Sequence, residues 1–147
     1  MQQALNEAYT AFEKEEVPIG AVIVCQNRII ARGHNLTQTL NDPTAHAEMQ
    51  AITAACNYLG SKYLTDCTLY VTVEPCVMCA AATYWAQLPR LVFGCKEPKF
   101  GYSRLTPSCL HPKTQVTENV LETECRKLMR DFFTARRNLN PIGFTLH

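Results

Sequence analysis

Apolar residues change their spacing several times along this chain, and each change marks an element. Ala4, Leu5, Ala8 and Phe12 recur at helical spacing, which predicts an amphipathic helix from Gln2 to about Glu15. Val17-Pro18-Ile19-Gly20 breaks it. A compact apolar run from Ile19 to Cys25 then reads as a buried strand. Gln26-Asn27 predicts a tight turn, and Arg28 to Gly33 the returning strand of a hairpin. Asn35 to Asn41 is polar and without period, so it is a loop. Asp42-Pro43 predicts a helix start, with Asp as the cap and Pro at the first helical position. That helix runs to about Leu59 and stops at Gly60.

The second half alternates in the same way. Cys67 to Val73 is a β-branched strand, and Pro75 opens a helix to about Gln87. Arg90 to Gly94 is a short apolar strand. Lys96 to Lys113 holds three prolines and no period, which makes a long loop with room for one helical turn. Gln115 to Glu118 predicts a short strand. Leu121, Cys125, Leu128, Met129, Phe132 and Phe133 form a helical stripe that ends near Asn138. The segment Pro141 to His147 is expected to be a mobile tail. Without a repeat or a linker, residues 1–147 read as one domain. Its class is α/β: a mixed sheet of about five strands between helices on both faces, three layers in all.

Composition narrows the function classes. In 147 residues, 47% hydrophobic and 18% charged is a globular balance and excludes a disordered chain. The longest apolar runs fall well short of the ~20 residues that span a bilayer, so no membrane association is expected. A net charge of +1 argues against a sequence-blind polyanion binder. It leaves room for a local basic patch. The N-terminus lacks a basic start followed by an apolar run, so the expected location is the cytoplasm. Eight cysteines without an export signal do not suggest a disulfide framework. Only Cys76 and Cys79 are close in sequence.

That pair directs attention to three segments: His46-Ala47-Glu48, Glu74-Pro75-Cys76, and Cys79. Each sits at an expected helix start, where the dipole and free N–H groups lower a thiol pKa. Two thiolates and one imidazole make a three-ligand zinc site, the catalytic kind, with the fourth position left for water. Zinc lowers the pKa of such a water from about 16 to about 7. Glu48 follows His46 by two residues and can serve as base and then acid without being a ligand.

His46-Ala-Glu48 followed by Pro75-Cys-Val-Met-Cys79 resembles the signature of the zinc-dependent nucleobase deaminases. Within that superfamily the chain most resembles the bacterial tRNA-specific adenosine deaminases, from about Ala4 to Asn138. The matching stretches are Val17-Pro-Ile-Gly-Ala-Val, Gly33-His-Asn35, Asp42-Pro-Thr-Ala-His-Ala-Glu48, Leu69 to Cys79, Leu91-Val-Phe-Gly94 and Asp131-Phe-Phe-Thr-Ala-Arg-Arg137. The resemblance implies a cytidine deaminase-like fold, one zinc ion per subunit and a homodimer. It implies conversion of adenosine to inosine at the first anticodon position of the tRNA anticodon stem-loop. It also implies that Asn35 hydrogen-bonds the flipped base and that the Ala47 N–H meets the base beside the metal. Val17, Pro18 and Pro43 correspond to pocket-lining positions. Phe132, Phe133, Arg136 and Arg137 correspond to the helix end that meets the anticodon loop. One stretch departs from the family pattern. After Gly94 a small residue, an acidic residue and a glycine- and alanine-rich turn are usual; here the chain reads Cys95-Lys-Glu-Pro-Lys-Phe-Gly-Tyr-Ser-Arg104.

Other readings stand beside these. Asn41 to Glu48 and Tyr84-Trp85-Ala86 also resemble guanine deaminases, and cytosine deaminases share the zinc residues. A zinc-stabilised module that binds RNA without catalysis is a third reading. Cys76 and Cys79 could form a redox pair, although Pro75 precedes the cysteines instead of lying between them. Glu74 reads as a helix-start residue, His34 and His111 as loop or surface histidines. Tyr84, Trp85 and Leu88 read as a core or subunit-interface face.

Overall fold

The computed structural model describes residues 1–139, so the expectation of a mobile Pro141–His147 tail lies outside the described residues. Helix α1 (Gln2–Glu13) precedes a hairpin of β1 (Gly20–Cys25) and β2 (Arg28–His34). Its two turn residues, Gln26 and Asn27, have φ of 51° and 60°. This is the double left-handed turn whose twist suits a two-residue hairpin. Helix α2 (Ala47–Leu59), β3 (Cys67–Val73), α3 (Val77–Trp85) and β4 (Arg90–Cys95) follow. A single 3-10 turn at Tyr102–Arg104, β5 (Gln115–Thr117) and α4 (Glu122–Leu139) complete the order.

The five strands form one mixed sheet in the order β2-β1-β3-β4-β5. β1 is antiparallel to both its neighbours, whereas β3, β4 and β5 run parallel. Parallel β3 and β4 need a crossover, and α3 supplies it. Helices cover both faces. On one, Ala51, Ile52 and Ala55 of α2 pack on Ile23, Leu69, Val71 and Phe93. On the other, Leu5 and Ala8 of α1 and Cys125 and Leu128 of α4 enclose Val73 and Cys95. This is a three-layer α/β/α architecture.

Two helix starts differ from the sequence expectation. Asp42 does not cap α2. Its Oδ1 accepts from the Thr44 N–H (2.8 Å) and hydroxyl (2.7 Å), which closes a local turn. The helix begins at Ala47, and His46 occupies the cap position. Pro75 likewise precedes the helix it was expected to open; Cys76 is the cap and Val77 the first helical residue. Leu88 lies beyond the end of α3 and is buried, so it does not share an exposed face with Tyr84 and Trp85.

Gly33 sets how closely β2 approaches α2. A Cβ there would fall on the Ala47 carbonyl and within 2.8 Å of the Ala51 nitrogen. The helix start that carries His46 and Glu48 therefore rests on bare backbone. Gly33→Ala is expected to lower stability by about 1–3 kcal/mol through overpacking. Chemical denaturation measures it; an unchanged midpoint would contradict the close approach.

Candidate metal and substrate site

The first turns of α2 and α3 meet above the sheet. Cys76 Sγ lies 3.6 Å and Cys79 Sγ 3.5 Å from Nδ1 of His46. All three ligand atoms fall within 4.8 Å of one another. A tetrahedral zinc with ordinary Zn–S and Zn–N lengths separates its sulfur and nitrogen ligands by about 3.6 Å. The donor set and its spacing therefore fit zinc. Among the described residues this is the one group of three or more His, Cys, Asp or Glu side chains with metal-ligand spacing.

The backbone helps to aim the imidazole. The Pro43 carbonyl accepts a hydrogen bond from the His46 ring. A backbone acceptor on the ring is the usual support for a metal-binding histidine. Pro43 is itself exposed. Neither cap residue spends its side chain on its own helix, since His46 and Cys76 make no side-chain cap hydrogen bond. The free N–H groups of both helices instead surround the cluster with positive potential. Hydrogen bonding from Cys79 and His46 pushes the Cys76 thiol down to about 4. The hydrogen bond with Cys76 and burial push the Cys79 thiol up.

Glu48 is the second residue of α2, in its first turn, and is 3% exposed. Burial raises its carboxyl pKa, with the nearby Cys76 adding to the rise and a hydrogen bond from Cys79 opposing it. A carboxyl raised in this way exchanges protons closer to neutrality than a solvated one. Ala47, the first helical residue, is fully buried at the same helix start.

Asn35 is buried on the loop after β2. Its backbone N–H bonds the Ile19 carbonyl at 3.1 Å, and the next residue, Leu36, bonds the Ala45 carbonyl at 2.9 Å. These bonds lay Asn35 beside the segment leading into His46. Pro18 is fully buried and Val17 half-buried on the turn before β1. At the end of α4, Phe132 is buried, edge-on to Phe12 (5.8 Å) and Phe133 (5.3 Å). Arg136 lies over the Phe132 ring at 5.0 Å and donates to the Glu15 carbonyl. Arg137 is exposed and bonds Thr134 Oγ1 at 3.2 Å.

The burial of two carboxylates escaped the sequence reading. Glu16 and Glu74 look like a helix end and a helix start, yet both are buried. Glu74 Oε2 accepts from the Ser103 N–H (3.1 Å) and hydroxyl (2.9 Å). Gly101 must be glycine for that carboxylate to approach, and it pairs with Cys76 in a β-bridge. The divergent 95–104 stretch is thus pinned beside a metal-site cysteine. Between them lies a cleft of about 440 Å³ lined by Cys76, Val77 and Met78 on one side and Lys99, Phe100, Gly101, Arg104 and Leu105 on the other. The departure from the family pattern was the sequence signal for this wall, but it could not show where the loop folds.

The model of the MafB19-like deaminase family matches residues 1–137, which sets the class. A tRNA-specific adenosine deaminase of Agrobacterium fabrum is 45% identical over 145 residues, covering 93% of each chain. A solved structure from a study of A-to-I editing by tRNA:A34 deaminases superposes with a TM-score of 0.82 at 45% identity, covering 87% of this chain and 96% of that one. The structure of a guanine deaminase from Bacillus subtilis gives 0.64 at 35% identity, covering 99% and 96%. The chain belongs to the tRNA-specific adenosine deaminase family.

Replacing Glu74 by Ala leaves the Ser103 N–H without its acceptor. We expect a cost of about 1–3 kcal/mol and new proteolytic cleavage between residues 96 and 105. Unchanged cleavage would show that the loop is held by other contacts.

Proposed function

We propose that this chain hydrolyses adenosine to inosine at the first anticodon position of tRNA. The spacing of His46 Nδ1 from Cys76 and Cys79, with Glu48 buried beside them, carries the chemistry. Near-full-length relatives named as tRNA-specific adenosine deaminases support the substrate. His46, Cys76 and Cys79 would hold zinc. When bound, zinc supplies a Lewis acid that makes a water nucleophilic near neutral pH. In the net reaction, water adds at carbon 6 of adenine and ammonia leaves.

The chain's own groups move the protons. Glu48 takes one proton from water and passes it to the ring nitrogen, then takes the second from the hydroxyl added at carbon 6 and delivers it to the departing amine. The Ala47 N–H belongs to a first turn without intrahelical acceptors and can meet the base. Asn35 holds the base or ribose, and Val17, Pro18 and Pro43 border it. Anticodon bases are unpaired, so splaying one out is cheap.

The end of α4 provides the RNA contact in this reading. Phe133 and exposed Arg137 meet the anticodon loop, with Phe132 and Arg136 behind them fixing the helix end. Exposed Tyr84 and Trp85, 43% and 77% accessible, support a homodimer through the α3 end. No helix among the described residues is long and apolar enough to cross a membrane. A tRNA substrate places the enzyme in the cytoplasm. The likeness to a guanine deaminase supports a second reading, hydrolysis of a free base at the same site.

Glu48→Ala is expected to keep one zinc per chain and to lower turnover by about 10²–10⁴-fold. Surviving turnover would remove Glu48 from the proton path, whereas wild-type protein with no deaminase activity at all would favour the RNA-binding module. Assays with an anticodon stem-loop, guanine and cytosine in parallel separate the two catalytic readings. Inosine in the RNA alone supports the first, and ammonia from a free base with silent RNA supports the second. Arg137→Ala should weaken RNA binding and flatten its logarithmic salt dependence by about 0.7, without changing free-base kinetics. An unaltered slope would remove Arg137 from the phosphate contacts.

A further inference from the structure

Glu16 is a fully buried carboxylate outside the metal cluster. The chain leaves α1 through Glu15, whose φ is 60°. Arg136 bonds the Glu15 carbonyl, and the Glu16 N–H returns to the Ala11 carbonyl at 2.9 Å. This locked turn sends the Glu16 side chain inward, under the loop that carries Asn35. There it meets five donors. Oε1 accepts from the Thr39 N–H (2.6 Å) and hydroxyl (2.9 Å). Oε2 accepts from the Gln38 N–H (3.2 Å), the Thr37 hydroxyl (3.4 Å) and Asn35 Nδ2 (3.1 Å).

A carboxylate can only accept, so an amide that faces it must present its nitrogen. Thr37 Oγ1 receives the same Asn35 nitrogen at 3.3 Å. Both partners therefore hold the amide the same way round, and its carbonyl oxygen is the end left to meet a substrate donor. Burying a carboxylate is costly unless donors compensate it, and here they come from the one loop that bears the base-binding asparagine. We infer that Glu16 is a positioning residue of the active site: it fixes the side-chain amide of Asn35 in one orientation, with the carbonyl oxygen offered to the base or ribose. The inference rests on the role given to Asn35 in the deaminase reading.

The test is a swap of polarity between the two residues. Asn35→Asp sets a second carboxylate against Glu16 and should lower kcat/KM at least about tenfold. Glu16→Gln alone deprives some of the five donors of their acceptor and should cost about tenfold as well. Combined, the glutamine amide can donate to the introduced aspartate. The double variant should therefore be more active than Asn35→Asp alone, by about threefold or more. A purely structural Glu16 gives the opposite result: the double variant falls below Asn35→Asp by the factor that Glu16→Gln costs the wild type, and the inference is overturned. The same comparison on whichever base the wild type deaminates separates this inference from the choice of substrate. A second measurement needs neither substrate nor a folded variant. In ¹⁵N-labelled wild-type protein, the Asn35 side-chain amide protons should exchange slowly with solvent. Rapid exchange overturns the inference.

Discussion

Nδ1 of His46 sits at tetrahedral-edge distance from two sulfurs, and this geometry exists because two helices begin at the same point above the sheet. His46 and Cys76 take positions that usually go to Ser, Thr, Asp or Asn, and neither caps its own helix. Forgoing a side-chain cap costs about 1 kcal/mol per helix. In exchange the two cap side chains become available to a shared cation, and the free N–H groups favour thiolate at Cys76. The sheet makes the meeting possible. Parallel β3 and β4 force α3 to cross over, and Gly33 lets α2 settle on β2.

Around this point, buried carboxylates organise loops that have no regular structure of their own. Glu16 gathers residues 35–39 on one side. Glu74 gathers the 101–103 turn on the other. Glu48, equally buried, binds no loop among the described residues, which suits the proton-transfer role proposed for it. One charge type thus has two uses, and its partners separate them. Where backbone and hydroxyl donors surround the carboxylate it holds structure; where burial and sulfur surround it, its pKa rises. The end of α4 joins the first group through Arg136 and the Glu15 carbonyl, so the expected RNA-facing helix also steadies the turn that carries Glu16.

Most of the fold was legible in the sequence because periodicity reports burial. The stripe from Leu121 to Phe133 and the runs at Ala21–Val24 and Leu69–Val73 each specified an element and its buried face. The zinc-type residues were legible because chemistry demands those side chains at that spacing. The helix starts were less so. Asp42 and Pro43 have the composition of a cap and first turn, but the Asp42 side chain bonds Thr44 locally and delays the helix to Ala47. Glu16 and Glu74 were not legible at all, since a polar residue next to a helix boundary looks the same whether it faces water or a loop folded over it. Phe132 and Arg136 show the same limit: each matched an RNA-facing position, and the fold gives both a partner within the chain.

Everything at this site turns on a zinc ion held by one imidazole and two thiolates. X-ray absorption at the zinc edge of the purified protein tests it most directly. Two sulfur neighbours at about 2.3 Å and nitrogen or oxygen neighbours at about 2.0–2.1 Å are expected, with the sulfur signal roughly halved in Cys79→Ser. A four-sulfur shell, or a zinc environment unchanged by that substitution, would contradict it.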